Sequence, residues 1–196
     1  MANVLLIFIK NPRLGAVKTR LARTLGDSEA LRIYLILLHK TRVAALGTAV
    51  ERWLFYSDAV AAGDEWPESG FRKFVQSGDD LGSRMEDAFR RAFAAGAGRV
   101  VIIGSDCPAL SAAVLGEAFR QLDSFDFVLG PASDGGYYLL GMRRLETTVF
   151  QEIAWSTASV REQTVAAMEG LGKTCFLLPE LSDVDTEEDW ARWKGV

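Results

Sequence analysis

The sequence predicts an α/β fold with a mostly parallel central sheet and helices on both of its faces. Short apolar runs rich in Val, Ile, Leu and aromatic residues recur along the chain, and segments of helical periodicity separate most of them. Strands that alternate with helices pair in parallel, and the helices then cover both faces. A third observation, two apolar runs that flank the segment "PASDGG", predicts one antiparallel excursion in this sheet. The strand-like runs, in chain order, are Val4–Ile9, Trp53–Ser57, Phe71–Gln76, Val100–Gly104, Phe125–Gly130, Tyr137–Gly141 and Thr174–Leu178.

Helices between these runs are predicted from periodicity and from capping residues. Ser111 is expected to begin one helix, and the Ser159–Glu162 spacing of a capping box predicts that another begins at that point. Asp185 and Glu188 have the spacing of an N-cap pair at a last helix. The clearest helical periodicity is that of Leu81, Met85, Ala88, Phe89, Ala92 and Phe93, which fall on one face.

Length and composition predict one domain over residues 1–196, since the chain has 49% apolar residues, no internal repeat and no evident linker. The net charge of −4 argues against nucleic acid or an anionic membrane as a partner. The apolar start "VLLIFI" is too short for a signal or membrane segment. Cys107 and Cys175 have neither zinc-site nor disulfide-framework spacing, so we expect a reduced, soluble, cytoplasmic protein.

One histidine, His39, lies in an apolar helical run, where we expect a packed or half-exposed residue. A Ser-His-Asp or Cys-His mechanism therefore has little support in this sequence.

Positive charge is concentrated at the start of the chain, before the first acidic residue, Asp27. The loop "KNPRLGAVKTRLAR" is not a Walker loop, and no G-x-G-x-x-G follows the first strand. It is a Gly-containing loop that leads into a helix, with Lys18 and Arg20 at the helix start, and this pattern is typical of a phosphate cradle. A solvated basic surface turn is the alternative interpretation. The cations are Lys10, Arg13, Lys18, Arg20 and Arg23.

Four aspartates follow strand-like runs, where open α/β folds bind their ligands. They are Asp106 in "GSDCP", Asp134 in "SDGGYY", and Asp183 and Asp185 in "SDVDTEEDW". Mg²⁺ is bound by one or two carboxylates together with phosphate oxygens and water, so two of these acids could hold it. Each has a structural alternative: Asp134 suits a turn before two glycines, and Asp185 suits a helix cap. Asp106 has the weakest such alternative.

Six segments give the chain a family resemblance that runs in order through nearly its whole length. They are "IKNPRLGAVKTRLAR", "QSGDDLGSRMEDAF", "VVIIGSDCPAL", "VLGPASDGGYYLLG", "IAWST" and "LPELSDVDTEEDW". The chain resembles bacterial nucleotide-diphospho-sugar transferase-like proteins of the glycosyltransferase-A fold. More distantly it is similar to the guanylyl- and cytidylyltransferases that serve deazaflavin and molybdenum cofactors, which share D-x-P, D-x-G-G and D-T-x-x-D segments.

The resemblance implies a role for each matching residue. Lys18 would neutralise polyphosphate charge with help from Arg20, and Asp106 would act with them in catalysis. Asp106 and Asp185 would hold Mg²⁺ or Mn²⁺. The nucleotide side would comprise Lys10, Lys18, Gln76, Gly78 and Gly82. The acceptor side would comprise Asp134, Gly135, Gly136, Tyr137 and Trp155.

Two departures from the relatives bear on the reaction. Pro12 and the single Gly15 replace the G-G-x-x-x-R-M loop that is usual in nucleotidyl-transferring relatives. Conversely, Ser105-Asp106-Cys107 stands where many sugar-transferring relatives have D-x-D. Because the second aspartate is missing, we predict a metal-dependent nucleotidyltransferase that joins a nucleoside triphosphate to a small phosphorylated acceptor and releases pyrophosphate. The alternatives are a glycosyltransferase with a nucleotide-diphosphate sugar donor, and a nucleotide-binding protein that does no chemistry.

Overall fold

A single seven-stranded sheet forms the centre of the protein in the computed structural model, which describes residues 2–195. The strand order across the sheet is β3-β2-β1-β4-β6-β5-β7. The strands are β1 (Ala2–Ile9), β2 (Glu51–Tyr56), β3 (Arg72–Val75), β4 (Ala97–Ile103), β5 (Phe127–Pro131), β6 (Tyr137–Met142) and β7 (Cys175–Leu177). Each strand-like run of the sequence overlaps one of these strands, with bounds that differ by up to three residues.

The sheet is parallel except at β6. β1 pairs in parallel with β2 and β4, β2 with β3, and β5 with β7, whereas β6 is antiparallel to both β4 and β5. The predicted mostly parallel sheet and its antiparallel excursion are therefore confirmed.

Within residues 2–195 the structure has six helices: α1 (Thr19–Leu25), α2 (Asp27–Leu46), α3 (Leu81–Ala94), α4 (Ala112–Gln121), α5 (Val160–Gly170) and α6 (Glu187–Lys194); a 3-10 turn spans Thr147–Phe150. Helices α1 and α6 pack with α2 in a separate apolar cluster. Side chains of β1 alternate between two cores, since Leu5 and Ile7 face one and Val4 and Leu6 the other. Helices α2 and α4 close the first core, and α3 and α5 close the second. Both faces are thus covered, which explains why the strands are apolar on both sides.

Helix starts follow the sequence signals only in part. Ser111 caps α4, since the Val114 amide donates to its hydroxyl. Ser159 precedes α5 as predicted, but its side chain makes no cap bond, so the predicted capping box is wrong. The predicted N-cap pair at the last helix is also wrong: Thr186, one residue after Asp185, caps α6 and forms a capping box with Asp189. The Asp185 carboxylate is therefore not used as a cap.

The segments that follow the strands, which carry the predicted site residues, meet at one edge of the sheet. Chain segments leave β1, β2, β3, β4, β5 and β7 at one edge, and antiparallel β6 begins at that same edge.

Among residues 2–195, no helix has both the length and the apolar character needed to cross a membrane. His39 is exposed on α2 rather than packed, and its ring Nδ1 lies 3.0 Å from an Arg42 nitrogen.

Candidate active site

A cleft of about 860 Å³ opens at this edge of the sheet. The predicted site residues line it, with the exceptions of Gly78, Gly82 and Gly135. The predicted residues on its wall are Lys10, Lys18, Arg20, Gln76, Asp106, Asp134, Gly136, Tyr137, Trp155 and Asp185. The first loop, the strand ends and the aspartates all meet in this one cleft, which makes it the candidate active site.

Lys18 lies at the centre of the charged part of the cleft. Its Nζ is 2.8 Å from Asp106 Oδ1 and 2.9 Å from Asp185 Oδ1. The Lys18 side chain is only 5% exposed, whereas those of Asp106 and Asp185 are 44% and 40% exposed. Burial lowers the pKa of Lys18, but the two carboxylates outweigh burial, so its pKa is raised above 10.5. The ammonium is therefore charged at neutral pH.

Local backbone structure places these three groups. Lys18 precedes α1 in the left-handed region, at φ 49° and ψ 47°, a conformation that costs a non-glycine residue about 1–2 kcal/mol. The Val184 amide donates to the Asp106 carbonyl over 2.9 Å, so the segment that carries Asp185 is tied to the loop after β4. Arg20 Nη1 lies 3.8 Å from Asp185 Oδ2 and is mostly exposed.

Asp183 is the third carboxylate of this cluster. Its Oδ1 is buried and has no hydrogen-bond partner among residues 2–195. Burial, together with the nearby charges of Asp106, Asp134 and Asp185, raises the pKa of Asp183 to about 7 against the opposing effect of Lys18. The sequence identified Asp183 as a candidate acid but not as a metal ligand. The usable signal was the alternation Asp-Val-Asp, which in extended chain puts both acids on one side and the buried Val184 on the other.

These groups fit a hard divalent cation by their chemistry. Asp106, Asp183 and Asp185 offer carboxylate oxygens, the donors that Mg²⁺ and Mn²⁺ prefer, and one of these oxygens is buried without a partner. Within residues 2–195, however, no group of three or more acidic, histidine or cysteine side chains is already arranged to hold a metal ion. The carboxylate donors are therefore available in the cleft, but Asp106 and Asp185 contact the Lys18 ammonium in this structure.

Gln76 follows β3 and spans two strand ends. Its Nε2 donates to the carbonyls of Ile9 and Phe55, over 3.1 and 3.2 Å. Carbonyls only accept hydrogen bonds, so the orientation of the amide is fixed by its partners. No hydrogen bond to residues 2–195 uses the remaining Oε1. This end of the cleft therefore offers a hydrogen-bond acceptor.

The opposite wall is built from two loops that are locked together. Asp134 Oδ1 accepts from the Gly136 amide over 2.9 Å, which confirms its turn role, and the Arg161 amide donates to the Gly135 carbonyl. Gly135 has φ +89°, and a Cβ there would overlap the Ala158 carbonyl. The two loops can approach only because residue 135 is glycine.

Gly82 has a packing role of the same kind. A Cβ at Gly82 would lie 2.5 Å from Trp155 Nε1, so the indole packs directly on the first turn of α3. Gly78 contributes its carbonyl, which accepts from Arg84 Nε over 2.9 Å. Their predicted contribution to the nucleotide side stays a prediction, and the contacts show that both glycines support the wall of the cleft from behind.

Comparison with known proteins shows the family to which this chain belongs. The bacterial family described as "Uncharacterized protein conserved in bacteria (DUF2064)" matches residues 40–157. No curated protein matches the chain.

Solved structures share the fold. One is named "putative nucleotide-diphospho-sugar transferase" from Desulfovibrio desulfuricans G20; it is 34% identical, with TM-score 0.88, over 95% of this chain and 84% of that one. A CMP:2-keto-3-deoxy-manno-octonic acid synthetase complexed with CTP is 10% identical with TM-score 0.62, over 100% and 98% of the two chains. Rv0371c from Mycobacterium tuberculosis H37Rv, solved with manganese, is 18% identical with TM-score 0.58, over 98% and 97%. The predicted transferase class and the nucleotide-diphospho-sugar transferase fold are thereby confirmed.

Proposed function

We propose that this chain, which belongs to the bacterial family DUF2064, is a metal-dependent nucleotidyltransferase. A nucleoside triphosphate would be the donor and a small phosphorylated molecule the acceptor. The observation that carries the proposal is the buried Lys18 ammonium, 2.8 and 2.9 Å from two carboxylates at the ligand-binding edge of the sheet. This combination supplies a phosphate-binding cation and metal-binding anions in one place.

The reaction needs positioning and charge neutralisation more than proton transfer. An oxygen of the acceptor phosphate forms a bond to the α-phosphorus, the bond from that phosphorus to the β-phosphate oxygen breaks, and pyrophosphate leaves. An ionised phosphate needs no general base, which agrees with a cleft that contains no histidine on its wall. Electrostatic stabilisation and orientation are the main sources of catalysis in such reactions.

Each side chain then has a task. Asp106, Asp185 and Asp183 would hold Mg²⁺ or Mn²⁺, which when bound neutralises charge on the phosphate oxygens. Lys18 and Arg20 bind the same phosphates from the side of the first loop, with Lys10 beside them on the cleft wall. Lys10 and Lys18 stand in the loop after β1, and Arg20 lies in the first turn of α1.

Base selection falls to the Gln76 end of the cleft. Because both amide hydrogens are bonded to backbone carbonyls, Gln76 can contribute only Oε1, and a base bound there must present an N–H. Exocyclic amino groups and ring N–H groups satisfy this condition. The acceptor would lie against Asp134, Tyr137 and Trp155, which line the other side.

A glycosyltransferase with a nucleotide-diphosphate sugar donor is the second candidate. The observation in its favour is the wall formed by Tyr137, Trp155 and Asp134, since aromatic faces and carboxylates are suited to hydroxylated rings. The 34% identical neighbour also bears that name. Both reactions would use the same metal and phosphate groups.

The test is a thermal-shift screen of nucleoside triphosphates and nucleotide-diphosphate sugars, each with and without Mg²⁺. A ligand at 100 times its Kd stabilises the native state by about 2.7 kcal/mol, which gives a readable rise in Tm. The proposal expects Mg²⁺-dependent stabilisation by a triphosphate and, with phosphorylated acceptors, pyrophosphate release.

Three results would contradict the proposal. Stabilisation by nucleotide-diphosphate sugars alone, with nucleoside diphosphate release, would favour glycosyl transfer. Nucleotide binding without turnover on any acceptor would favour a non-catalytic binding protein. The third result concerns Asp106→Asn, a variant that keeps the shape of the side chain and removes its charge. Unchanged Mg²⁺-dependent nucleotide binding by this variant would exclude the proposed metal site.

A further inference from the structure

We infer that Lys18 is an internal counter-cation which occupies the metal position until a divalent ion and a polyphosphate bind together. The inference rests on the proposed function, because it concerns the same metal site. Its basis is the pair of contacts from Lys18 Nζ to the Oδ1 atoms of Asp106 and Asp185. These are the two carboxylates that the metal would require.

The ammonium and a divalent ion compete for these carboxylates. Mg²⁺ binds carboxylate oxygens at about 2.0–2.1 Å, so an ion bound to both aspartates would lie close to the place of the ammonium. Two cations at such a distance repel each other, and each needs the same oxygen atoms. A metal ion therefore displaces Lys18 or binds weakly beside it.

Displacement is unfavourable unless Lys18 finds another anion. The side chain is 5% exposed, and a desolvated ammonium without a partner is costly. Lys10 and Arg20 line the same part of the cleft, so phosphate groups bound there would meet Lys18 as it leaves the aspartates. Metal alone would then bind poorly, whereas metal with polyphosphate would bind well.

This coupling is reciprocal: if the polyphosphate strengthens metal binding, the metal strengthens polyphosphate binding by the same factor. The exchange also keeps the Lys18 ammonium paired, because Lys18 passes from carboxylates to phosphates while the metal takes its place. The arrangement would prevent the nucleotide-free protein from holding a metal ion in an incomplete site.

A fixed structural bridge is the competing explanation of the same contacts. If Lys18 only held Asp106 and Asp185 in position, its removal would let the carboxylates separate and would weaken metal binding. The two explanations predict changes of opposite sign in the affinity of the nucleotide-free protein for metal.

The test measures Mn²⁺ binding to the full chain without nucleotide, by isothermal titration calorimetry and by the EPR signal of free Mn²⁺. Lys18→Met keeps an unbranched apolar side chain and removes the charge. We expect it to bind Mn²⁺ about tenfold more tightly than the wild type, within the usual range of coupling between sites. The same variant should bind the Mn²⁺ complex of inorganic triphosphate more weakly than the wild type does.

Lys10→Met is the matched control for the loss of one positive charge from the cleft. Among residues 2–195, Lys10 forms no salt bridge, and it lines the same cleft. Its substitution should therefore change Mn²⁺ affinity much less than Lys18→Met. Equal gains in the two variants would show a general charge effect and overturn the inference.

The remaining outcomes separate the inference from the proposed function. Unchanged or weaker Mn²⁺ binding by Lys18→Met, with measurable binding by the wild type, overturns the inference and leaves the metal site intact. Absence of Mn²⁺ binding in both proteins, with and without inorganic triphosphate, overturns the metal site and the proposed function with it. Lys18→Gln, compared with Lys18→Met by circular dichroism and Tm, provides a second uncharged variant should the first fail to fold.

Discussion

Asp183→Asn is expected to stabilise the metal-free protein at neutral pH, and the gain should disappear in acid. Asp183 holds a buried Oδ1 without a hydrogen-bond partner among residues 2–195, beside three other aspartates. Its pKa is about 7 in the folded protein against an ordinary value of 3.8. Asparagine has the same shape and carries no charge, so it removes the cost of ionising this group.

The sign and size of the effect follow from proton linkage. Between about pH 4 and pH 7 the folded wild type retains a proton that the unfolded chain has lost, so the stability of the wild type falls as pH rises through this window. The difference between 3.8 and about 7, at about 1.36 kcal/mol per pH unit, gives an upper value of about 4 kcal/mol. The free energy of unfolding of the variant should exceed that of the wild type by up to this amount above pH 7, and by almost nothing at pH 4.

Urea unfolding at pH 4, 5, 6, 7 and 8, in buffers containing EDTA, measures this difference directly. Asp79→Asn is the control, since Asp79 is an exposed carboxylate on the wall of the same cleft and its substitution removes one negative charge there without changing a buried group. A difference between Asp183→Asn and wild type that is constant with pH would refute the reasoning. Saturating Mn²⁺ should reverse the order of stability, because only the wild type keeps all three carboxylates.

Four further substitutions test other contacts of the site. Asp106→Asn should abolish Mg²⁺-dependent nucleotide binding with little change in Tm, because its side chain is 44% exposed; normal metal and nucleotide binding would exclude this carboxylate as a ligand. Gln76→Glu should lower the free energy of unfolding by about 1–3 kcal/mol, since two backbone carbonyls lose their donor, and a urea midpoint equal to that of the wild type would count against the hydrogen bonds. Thr186→Ala should lower the free energy of unfolding by about 1 kcal/mol, because α6 loses its cap. Asp185→Asn should leave the cap intact and impair metal binding. A lower Tm for Asp185→Asn together with weaker Mn²⁺ binding by Thr186→Ala would contradict the cap assignment.

The fold could be predicted because its strands are buried on both faces. A parallel strand covered by helices on each side is apolar at successive positions, as in β1 and β4, and such runs stand out in a sequence. The antiparallel β6 was also predictable, because it follows β5 across a short turn with two glycines. In the sheet, β6 lies between β4 and β5, and this strand order could not be predicted from the apolar runs alone.

The N-cap of α6 could not be predicted from the spacing of residues alone. The segment "SDVDTEEDW" contains two overlapping pairs with cap spacing, Asp185 with Glu188 and Thr186 with Asp189. Intrinsic preference does not separate them, since aspartate and threonine are both good caps. Tertiary contact decides between them: Lys18, far away in sequence, takes the Asp185 carboxylate, and Thr186 becomes the cap.

Two of the glycines have a packing role that the sequence does not reveal. Gly82 and Gly135, to which the resemblance assigns a place in ligand binding, do not lie on the wall of the cleft, and their contribution to binding stays a prediction. Each allows close contact with a distant segment, Gly82 with Trp155 and Gly135 with Ala158. Sequence near a glycine shows that the chain turns or packs closely there, but the partner is known only from the structure.

The charges of the cleft explain why an acid, Asp106, follows the buried strand β4. Asp106, Asp183 and Asp185 face the buried ammonium of Lys18 and the exposed guanidinium of Arg20, so three carboxylates meet two cations when all are ionised. Burial and the neighbouring aspartates together raise the pKa of Asp183 to about 7, even though Lys18 opposes the rise. A divalent cation would correct the imbalance and would free Lys18 for phosphate groups beside Lys10. Asp106, Asp183 and Asp185 converge on the same ammonium, and one of their oxygens is buried without a partner, which local structure does not require. The surplus of acids at this edge of the sheet is therefore an argument for function.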